Sequence, residues 1–573
     1  MPRMTAEEIV VECLKKEGVQ YLFGSPGDDE LALLDQIYRD GNIKLFDTRH
    51  ENTGPIAAIG YAQATGHLAV CTATEGPGIA NFFNGIMCAW RSSAPIIALV
   101  CKHSPGIAER DAIKSFDQSA VFQHITKWVI DVDRIEHIPD ALWRAFRVAS
   151  APPTGPVMVC INENLFQHPG LTLDIDLPPR EHYHPASLIT YTDPDLADRA
   201  ARMLVEAQLP ILLVDDRARW NNTDTEVAEL ANLLAAPVFQ TWPTFRPLIP
   251  ESSPLAFGSL GTDIVPPAAR LRDEADLLLA IDCTFDGGLT TGSSHHEIGW
   301  IPGRFPKRII QIDSDPHYIA KFYPVELGIL GHSKGVLMQI IQAVKKLGVN
   351  ELGGAKRMEK LRIVREEWFR FVDKEAERVK DKIPIDPLTL VRAMGKVMGA
   401  NDMIVVGGAD TRAIFQSLGT FVAPVPRMIF QNGQEASLGQ TIGKAMGMKL
   451  ACPQKRVSAL CGDGDFWFCN PAELETLRRH HLPITIIIAN NGVFGNMYAT
   501  QSKCYGSRYF GTLIDNPDFA YLAKAFDMHS ERADNPTDLE SVMARALDSG
   551  RPSLVDVHID PLAIRMADRH KVG

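Results

Sequence analysis

Val457-Ser458-Ala459-Leu460-Cys461-Gly462-Asp463-Gly464 and, further on, Ile484-Thr485-Ile486-Ile487-Ile488-Ala489-Asn490-Asn491 decide how this chain folds. Each begins as a short apolar run and ends in a polar turn, the pattern of a strand buried on both faces. Between them, Ala472 to His481 reads as a helix. Asp463 and Asn491 are 28 positions apart, the span of a strand, a helix and a return to a parallel neighbour. A right-handed crossover of this kind sets both strand ends on one edge of the sheet, where open α/β sheets bind ligands. One carboxylate and one amide oxygen then converge. Hard oxygen donors that leave room for phosphate oxygens and water describe a Mg²⁺ site holding a diphosphate. The rival reading of Gly462-Asp463-Gly464 is a dinucleotide turn. It fails at Trp467, where GxGxxG needs its third glycine, and at Asn490-Asn491, where a ribose-binding acid belongs.

The same alternation of β-like runs and amphipathic helices continues outward through all 573 residues, enough for three or four domains. It predicts an α/β protein of three doubly wound parallel-sheet domains at 1–176, 193–345 and 384–573. The first block carries Tyr21-Leu22-Phe23, Leu68 to Thr72, Ile96 to Val100 and Val157 to Ile161. The second carries Ile211 to Val214, Pro237 to Phe239, Leu277 to Ile281 and Ile309 to Ile312. The third adds Met403 to Val406 and Ser553 to Val557 to the two opening strands. Prolines 178, 179 and 185 mark a linker, and the charged stretch Lys356 to Lys382 reads as a solvated helical connector. A net charge of −12 argues against a general nucleic-acid partner. No apolar run is long enough to span a bilayer, and the N-terminus has no signal-peptide core. Ten scattered cysteines without a CxxC pair fit buried thiols of a reducing cytoplasm.

GDG joined through such a crossover to NN resembles the cofactor signature of thiamine-diphosphate (ThDP) enzymes of the acetolactate synthase, pyruvate decarboxylase and benzoylformate decarboxylase superfamily. The resemblance extends over all three blocks. It implies pyrimidine-binding, central and diphosphate-binding domains in that order. It implies that Gly462, Asp463 and Gly464 meet the cofactor diphosphate, and that Asp463, the Asn491 side chain and the Val493 carbonyl bind Mg²⁺. Arg49-His50-Glu51-Asn52, Gly60-Tyr61-Ala62-Gln63-Ala64-Thr65-Gly66 and Thr74-Glu75-Gly76-Pro77-Gly78 resemble the family's HE motif, GYAxATG helix and SGPG turn. Glu51 matches the cofactor-activating glutamate. A carboxyl group against the aminopyrimidine favours the imino tautomer, whose nitrogen takes the thiazolium C2 proton. Leu438, in Ala436-Ser437-Leu438-Gly439, matches the apolar wedge that bends the cofactor. The Ala436 carbonyl and Leu438 amide match the groups on the pyrimidine edge. Ala409, Asp410 and Thr411 match a diphosphate-contacting turn. The family pairs two subunits around each site, so a homodimer or homotetramer is expected.

Several positions depart from the pattern. Asp28 and Asp29 follow the Gly24-Ser25-Pro26-Gly27 turn where acetolactate synthases place small residues. Pyruvate decarboxylases place an aspartate at Asp28 for proton transfer, and their His-His pair is missing between Cys101 and Asp111. Lys114 stands where a pocket glutamine is common. It would hold a substrate anion, pair with Asp28 or Asp29, or be a solvated loop residue. Asp28 and His50 are candidate proton carriers, with a plain structural role for His50 as the alternative. Asp465 follows GDG where Ser or Ala is common, and no role is assigned to it. Thr284-Phe285-Asp286-Gly287-Gly288 partly matches the acetolactate synthase RFDDR stretch, but its arginines are missing, so bound FAD stays open without support.

The expectation is a ThDP- and Mg²⁺-dependent enzyme that makes or breaks a carbon–carbon bond beside a carbonyl. The first form is a 2-oxo acid decarboxylase/carboligase, acetolactate synthase-like. The alternatives are an acyloin or 2-hydroxyacyl-CoA lyase, and a ThDP-fold protein altered in catalysis. Intact Glu51, Asp463 and Asn491 count against the last.

Overall fold

Each block builds one parallel sheet because its inner strands are apolar on both faces and its helices cover both sides. The structure is a computed structural model and describes residues 2–168, 170–241, 248–260, 266–285, 308–348, 351–408, 428–431 and 436–563. A small antiparallel pair joins β1 (Arg3–Thr5) to β8 (Thr172–Asp174). The first sheet holds β2 (Tyr21–Gly24), β3 (Lys44–Asp47), β4 (Ala69–Thr72), β5 (Ile96–Lys102), β6 (Trp128–Val132) and β7 (Val157–Asn162). Its order is β3-β2-β4-β5-β7-β6, all parallel. The second holds β9 (Pro210–Val214), β10 (Val238–Gln240), β11 (Ala256–Ser259), β12 (Leu277–Ile281), β13 (Arg308–Asp313) and β14 (Leu327–Leu330), ordered β11-β10-β9-β12-β13-β14. The third holds β15 (Asp402–Val406), β16 (Ile429–Gln431), β17 (Arg456–Gly462), β18 (Ile484–Asn490), β19 (His529–Ala533) and β20 (Ser553–His558), ordered β16-β15-β17-β18-β20-β19.

β17 and β18 are parallel neighbours, in register from Val457 opposite Ile484 to Gly462 opposite Ala489. The crossover read from the sequence is therefore present. Its helical part comes in two pieces, Asp463–Phe468 and Glu473–Arg479. The chain forms two compact units. One is Met1–Leu188 with Ile442–Gln454 and Cys469–Leu482, and the other is Ile189–Thr441 with Lys455–Phe468 and Pro483–Gly573. Two pieces of the third block thus belong with the first sheet, a grouping that no boundary signal in the chain announces.

Within the first unit, the helix Thr53–Thr65 packs closely on residues 442–451. A Cβ on Gly60 would stand 2.1 Å from the Lys444 carbonyl oxygen, and one on Gly447 1.9 Å from that of Ala57. Gly60 of the GYAxATG stretch is thereby explained by packing, since both helices need bare backbone at the crossing, whereas Gly66 caps the helix at φ +75°. The expectation of a solvated connector after the central block is corrected. The helix Glu351–Val379 buries Leu361, Val364, Trp368, Val372, Ala376 and Val379 in the central core. Their three- and four-residue spacing forms one apolar stripe on a helix whose other faces are charged. Among the described residues, no helix is long and apolar enough to cross a membrane.

Candidate cofactor and substrate site

Asp463 begins the turn after β17 and is 1% exposed. Its Oδ2 accepts the Gly492 N–H at 2.8 Å and the Asn516 side-chain amide at 2.6 Å. Asn516 also donates to Asn490 Oδ1 at 3.0 Å and accepts from the Trp467 indole at 2.9 Å. Burial raises the Asp463 carboxyl above its ordinary value even with these donors. Among the described residues no cationic side chain forms an ion pair with it. Gly464 follows under the Phe494 ring, where a Cβ would stand 2.8 Å from a ring carbon. Beyond β18, Asn491 Oδ1 accepts the Val493 N–H at 3.1 Å. Phe494 donates its N–H to Thr512 and Ile514 donates to Gly492, both at 2.8 Å, so residues 492–494 are zipped to 512–514. Asp463, Asn491 and Val493 thus share the carboxyl edge of one sheet.

Asp465, left without a role by the sequence, faces the other way. Its Oδ1 accepts the Gly439 N–H at 2.7 Å and its Oδ2 accepts the Thr441 hydroxyl at 2.6 Å. It thereby pins the Ala436–Gly439 turn that carries Leu438. Gly439 has φ +87°, and a Cβ there would stand 2.2 Å from the Phe468 carbonyl oxygen, so only glycine fits. Ala409, Asp410 and Thr411 lie outside the described residues, as do Asp286 to Gly288 of the central block.

On the first sheet, Glu51 is half-buried and its Oε2 accepts the Asn81 amide at 2.9 Å. Its backbone neighbours hang on Glu473, a fully buried carboxylate of the same unit. Glu473 Oε1 accepts the N–H groups of Arg49 at 3.1 Å and His50 at 3.0 Å, and its Oε2 accepts the Thr476 hydroxyl at 2.6 Å. Arg479 adds hydrogen bonds to the Asp47 side chain and carbonyl. His50 Nδ1 accepts the Asn52 N–H at 3.1 Å, so only Nε2 is left for proton exchange. Lys114 pairs with Asp28, the second of the readings open to it, and its hydrogen bond holds the exposed Asp28 carboxyl below its ordinary value. Asp29 instead turns inward, where one oxygen accepts the Thr74 hydroxyl and the other the Glu75 N–H at 3.0 Å.

Asn81, Glu473 and Asn516 were not singled out from the sequence. Glu473 reads there as a first-turn acid of a short helix, and Asn81 as a polar residue in the helix Pro77–Arg91. Asn516 is 53 positions from Asp463, with no pattern to link them. In the central block, Asp313 at the end of β13 takes a bidentate pair from Arg217, and Asp282 accepts from Asn221 and Ser333.

Three family models match along the chain. They are the thiamine pyrophosphate enzyme N-terminal TPP binding domain at residues 4–121, the central domain at 197–340 and the C-terminal TPP binding domain at 411–557. The chain belongs to the ThDP-dependent enzymes of the acetolactate synthase superfamily. Among the curated proteins it resembles is one of Methanocaldococcus jannaschii called "Probable acetolactate synthase large subunit". That protein is 29% identical, over 97% of this chain and 92% of its own length. The acetolactate synthase large subunit of Haemophilus influenzae is 27% identical, over 98% and 95%.

Proposed function

We propose that this enzyme is a Mg²⁺- and ThDP-dependent 2-oxo acid decarboxylase/carboligase. The observation that carries the reading is Asp463: a buried carboxylate without a cationic partner among the described residues, on one edge with Asn491 and Val493. Buried carboxylates are paired or hold metals, and an all-oxygen donor set suits Mg²⁺. Asp463, the Asn491 side chain and the Val493 carbonyl would hold the ion. Gly462 and Gly464, flanking Asp463, would offer their backbone to the diphosphate. Leu438 and the backbone of Ala436 would take the cofactor's pyrimidine end. The bound cofactor supplies a nucleophilic carbon and an electron sink for a bond broken next to a carbonyl.

The rest is the chain's own work. Glu51 holds and returns a proton at its carboxyl group, with Asn81 fixing Oε2. His50 exchanges a proton only through Nε2. Lys114 offers its ammonium to a substrate carboxylate in exchange for Asp28, and Asp28 so released is a carboxylate able to take up a proton. FAD is left out of this reading, because Thr284-Phe285-Asp286-Gly287-Gly288 lacks the arginines of the RFDDR stretch. The cysteines support a cytoplasmic protein, and the family resemblance a homodimer or larger assembly.

Product analysis by NMR tests the reading, with ThDP, Mg²⁺ and a panel of 2-oxo acids, alone and with aldehydes. Loss of the carboxyl with aldehyde or acyloin formation is expected. Cofactor-loaded protein that leaves every 2-oxo acid intact but cleaves acyloins or hydroxyacyl thioesters would replace this reading with the lyase.

A further inference from the structure

His103 follows β5 and lies against two carboxyl groups that the reaction above does not use. Its Nδ1 is 2.6 Å from Glu163 Oε1 and 3.3 Å from Glu75 Oε2. Its Nε2 is 3.0 Å from the Ile113 carbonyl oxygen. The Glu75 and Glu163 side chains are 2% and 10% exposed. A carbonyl oxygen only accepts, so Nε2 carries a hydrogen. A 2.6 Å contact from Nδ1 to a carboxyl oxygen then needs a second proton, on the ring or on Glu163. The set holds one proton more than a neutral imidazole between two carboxylates.

Loss of that proton has a directional consequence. The one remaining ring hydrogen goes to Nδ1, because a charged acceptor binds it more strongly than a neutral carbonyl. Nε2 then turns a lone pair toward the Ile113 oxygen, and a bond becomes a repulsion. Ile113 itself is 84% exposed, so little else holds its side chain. Next to it Lys114 sits at φ +72° with its Nζ on Asp28. The Lys114 backbone presses on the 74–78 turn: a Cβ on Gly76 would stand 2.6 Å from the Lys114 carbonyl oxygen.

We propose that the proton shared by His103 and Glu163, beside the buried Glu75 carboxyl, fastens the 104–117 loop and so positions Lys114 against Asp28. His103 and Glu75 are positioning residues, acting through Lys114. The fastening stands independently of the function proposed above, whereas its effect on substrate binding rests on that reading. Around the set lie Asp29 and Glu30 from the turn after β2, the Cys101 thiol on β5, and Lys114 with Asp28 across the loop. Lys102 is turned away to Asp131 at 2.7 Å. Carboxyl groups outnumber cations here, which favours keeping the proton. Burial pushes Glu75 up to about 7. For His103, burial pulls down, but the Ile113 carbonyl, Glu163 and Glu75 outweigh it and the net direction is up. Both shifts are upward, so the fastening is complete on the acid side and is lost as pH rises through neutrality. Glu30, raised to about 8 by burial, titrates in the adjoining alkaline range, so variants of His103 are needed to separate the two.

Hydrogen exchange of the full chain between pH 6 and 9, corrected for intrinsic rates, reads the loop directly. Wild-type protection in the peptide covering 104–117 should fall roughly fivefold across neutrality, the worth of one hydrogen bond. His103→Ala should leave the loop unprotected at every pH. His103→Gln, whose amide donates without titrating, should restore protection and make it level with pH. Glu75→Gln should move the midpoint to lower pH, by removing a charge that holds the proton; peptides from the rest of the first sheet report whether each variant is folded. Protection that is level with pH in the wild type, or equal to wild type in folded His103→Ala at pH 6, overturns the proposal. KM for the best 2-oxo acid should rise with pH alongside the loop while kcat changes less, and His103→Gln should flatten that rise. A loop that loosens while KM stays level supports the fastening and removes Lys114 from the substrate reading.

Discussion

The first and third sheets have the same strand order, counted within each sheet, yet their carboxyl edges carry very different side chains. On the third sheet the edge is sparing in charge. Asp463 is buried, and amides from Asn516 and Gly492 gather on one of its oxygens. On the first sheet the edge is crowded: Asp28, Asp29, Glu30 and Glu75 lie around His103 and Lys114, and Glu51 accepts from Asn81. Topology brings ligand-facing turns to one edge in both. The residues in those turns then leave one edge with a buried carboxylate among amides and the other with a cluster of carboxyl groups beside a histidine and a lysine.

The strongest way to break this contrast is Glu51→Gln, which removes the proton carrier and keeps the shape. It should retain ThDP affinity and lower kcat by about 10²- to 10⁴-fold, as for other general acid–base groups. Unchanged turnover would end the proton-handling reading of the first edge. Next comes Asp463→Ala, for which equilibrium dialysis of ThDP with Mg²⁺ should give retention weaker by about 100-fold or more, beyond what an outer-shell partner costs. Equal affinity would show that the third edge holds no cation. Asn516→Ala removes a donor to Asp463, and the same dialysis should find about a tenfold loss, with kcat of the saturated enzyme nearly kept.

The smallest expected effect sharpens the proton store. Glu30 is 1% exposed, beside the Thr72 hydroxyl, and burial pushes its carboxyl up to about 8 from 4.5. A raised folded-state value means that the protonated group stabilises the fold in acid. That contribution declines between about pH 4.5 and 8, by at most ~1.4 kcal/mol per unit. Glu30→Gln should therefore flatten the fall of Tm with pH over that window. A parallel fall in both proteins would mean that Glu30 is charged in the native state.

The strands read from the sequence are the four inner strands of every sheet, and those it did not supply are the two edges of each. Ile484 to Ala489 is legible because a strand covered on both faces must be continuously apolar. Edge strands such as Lys44–Asp47 or His529–Ala533 are polar on their open side and carry no such mark. The charged helix Glu351–Val379 misled for a related reason: its apolar stripe is thin against its many charges, and only packing reveals which face is covered.

The candidate site divides in the same manner. Asp463 and Asn491 stand out in the chain because their chemistry demands a residue type at a turn after a strand, and such turns are local; Glu51 stands out only through the motifs around it, since a lone glutamate before a helix reads as a first-turn acid. Asn81, Glu473 and Asn516, which hold Glu51, its backbone and Asp463, do not. Each works through a side chain brought from 30 to more than 400 positions away, and one amide or carboxylate on a helix or loop looks like any other until folding chooses its neighbour. The partner of Lys114 was decided in the same way. Residue order supplied a lysine and two aspartates, and the fold turned Asp28 outward to meet it and Asp29 inward to Thr74. Local sequence determines which groups a turn carries, because backbone preference and burial act over a few residues. Their pairing is decided by tertiary structure, because hydrogen bonds need contact within about 3 Å and only the folded chain brings distant side chains that close.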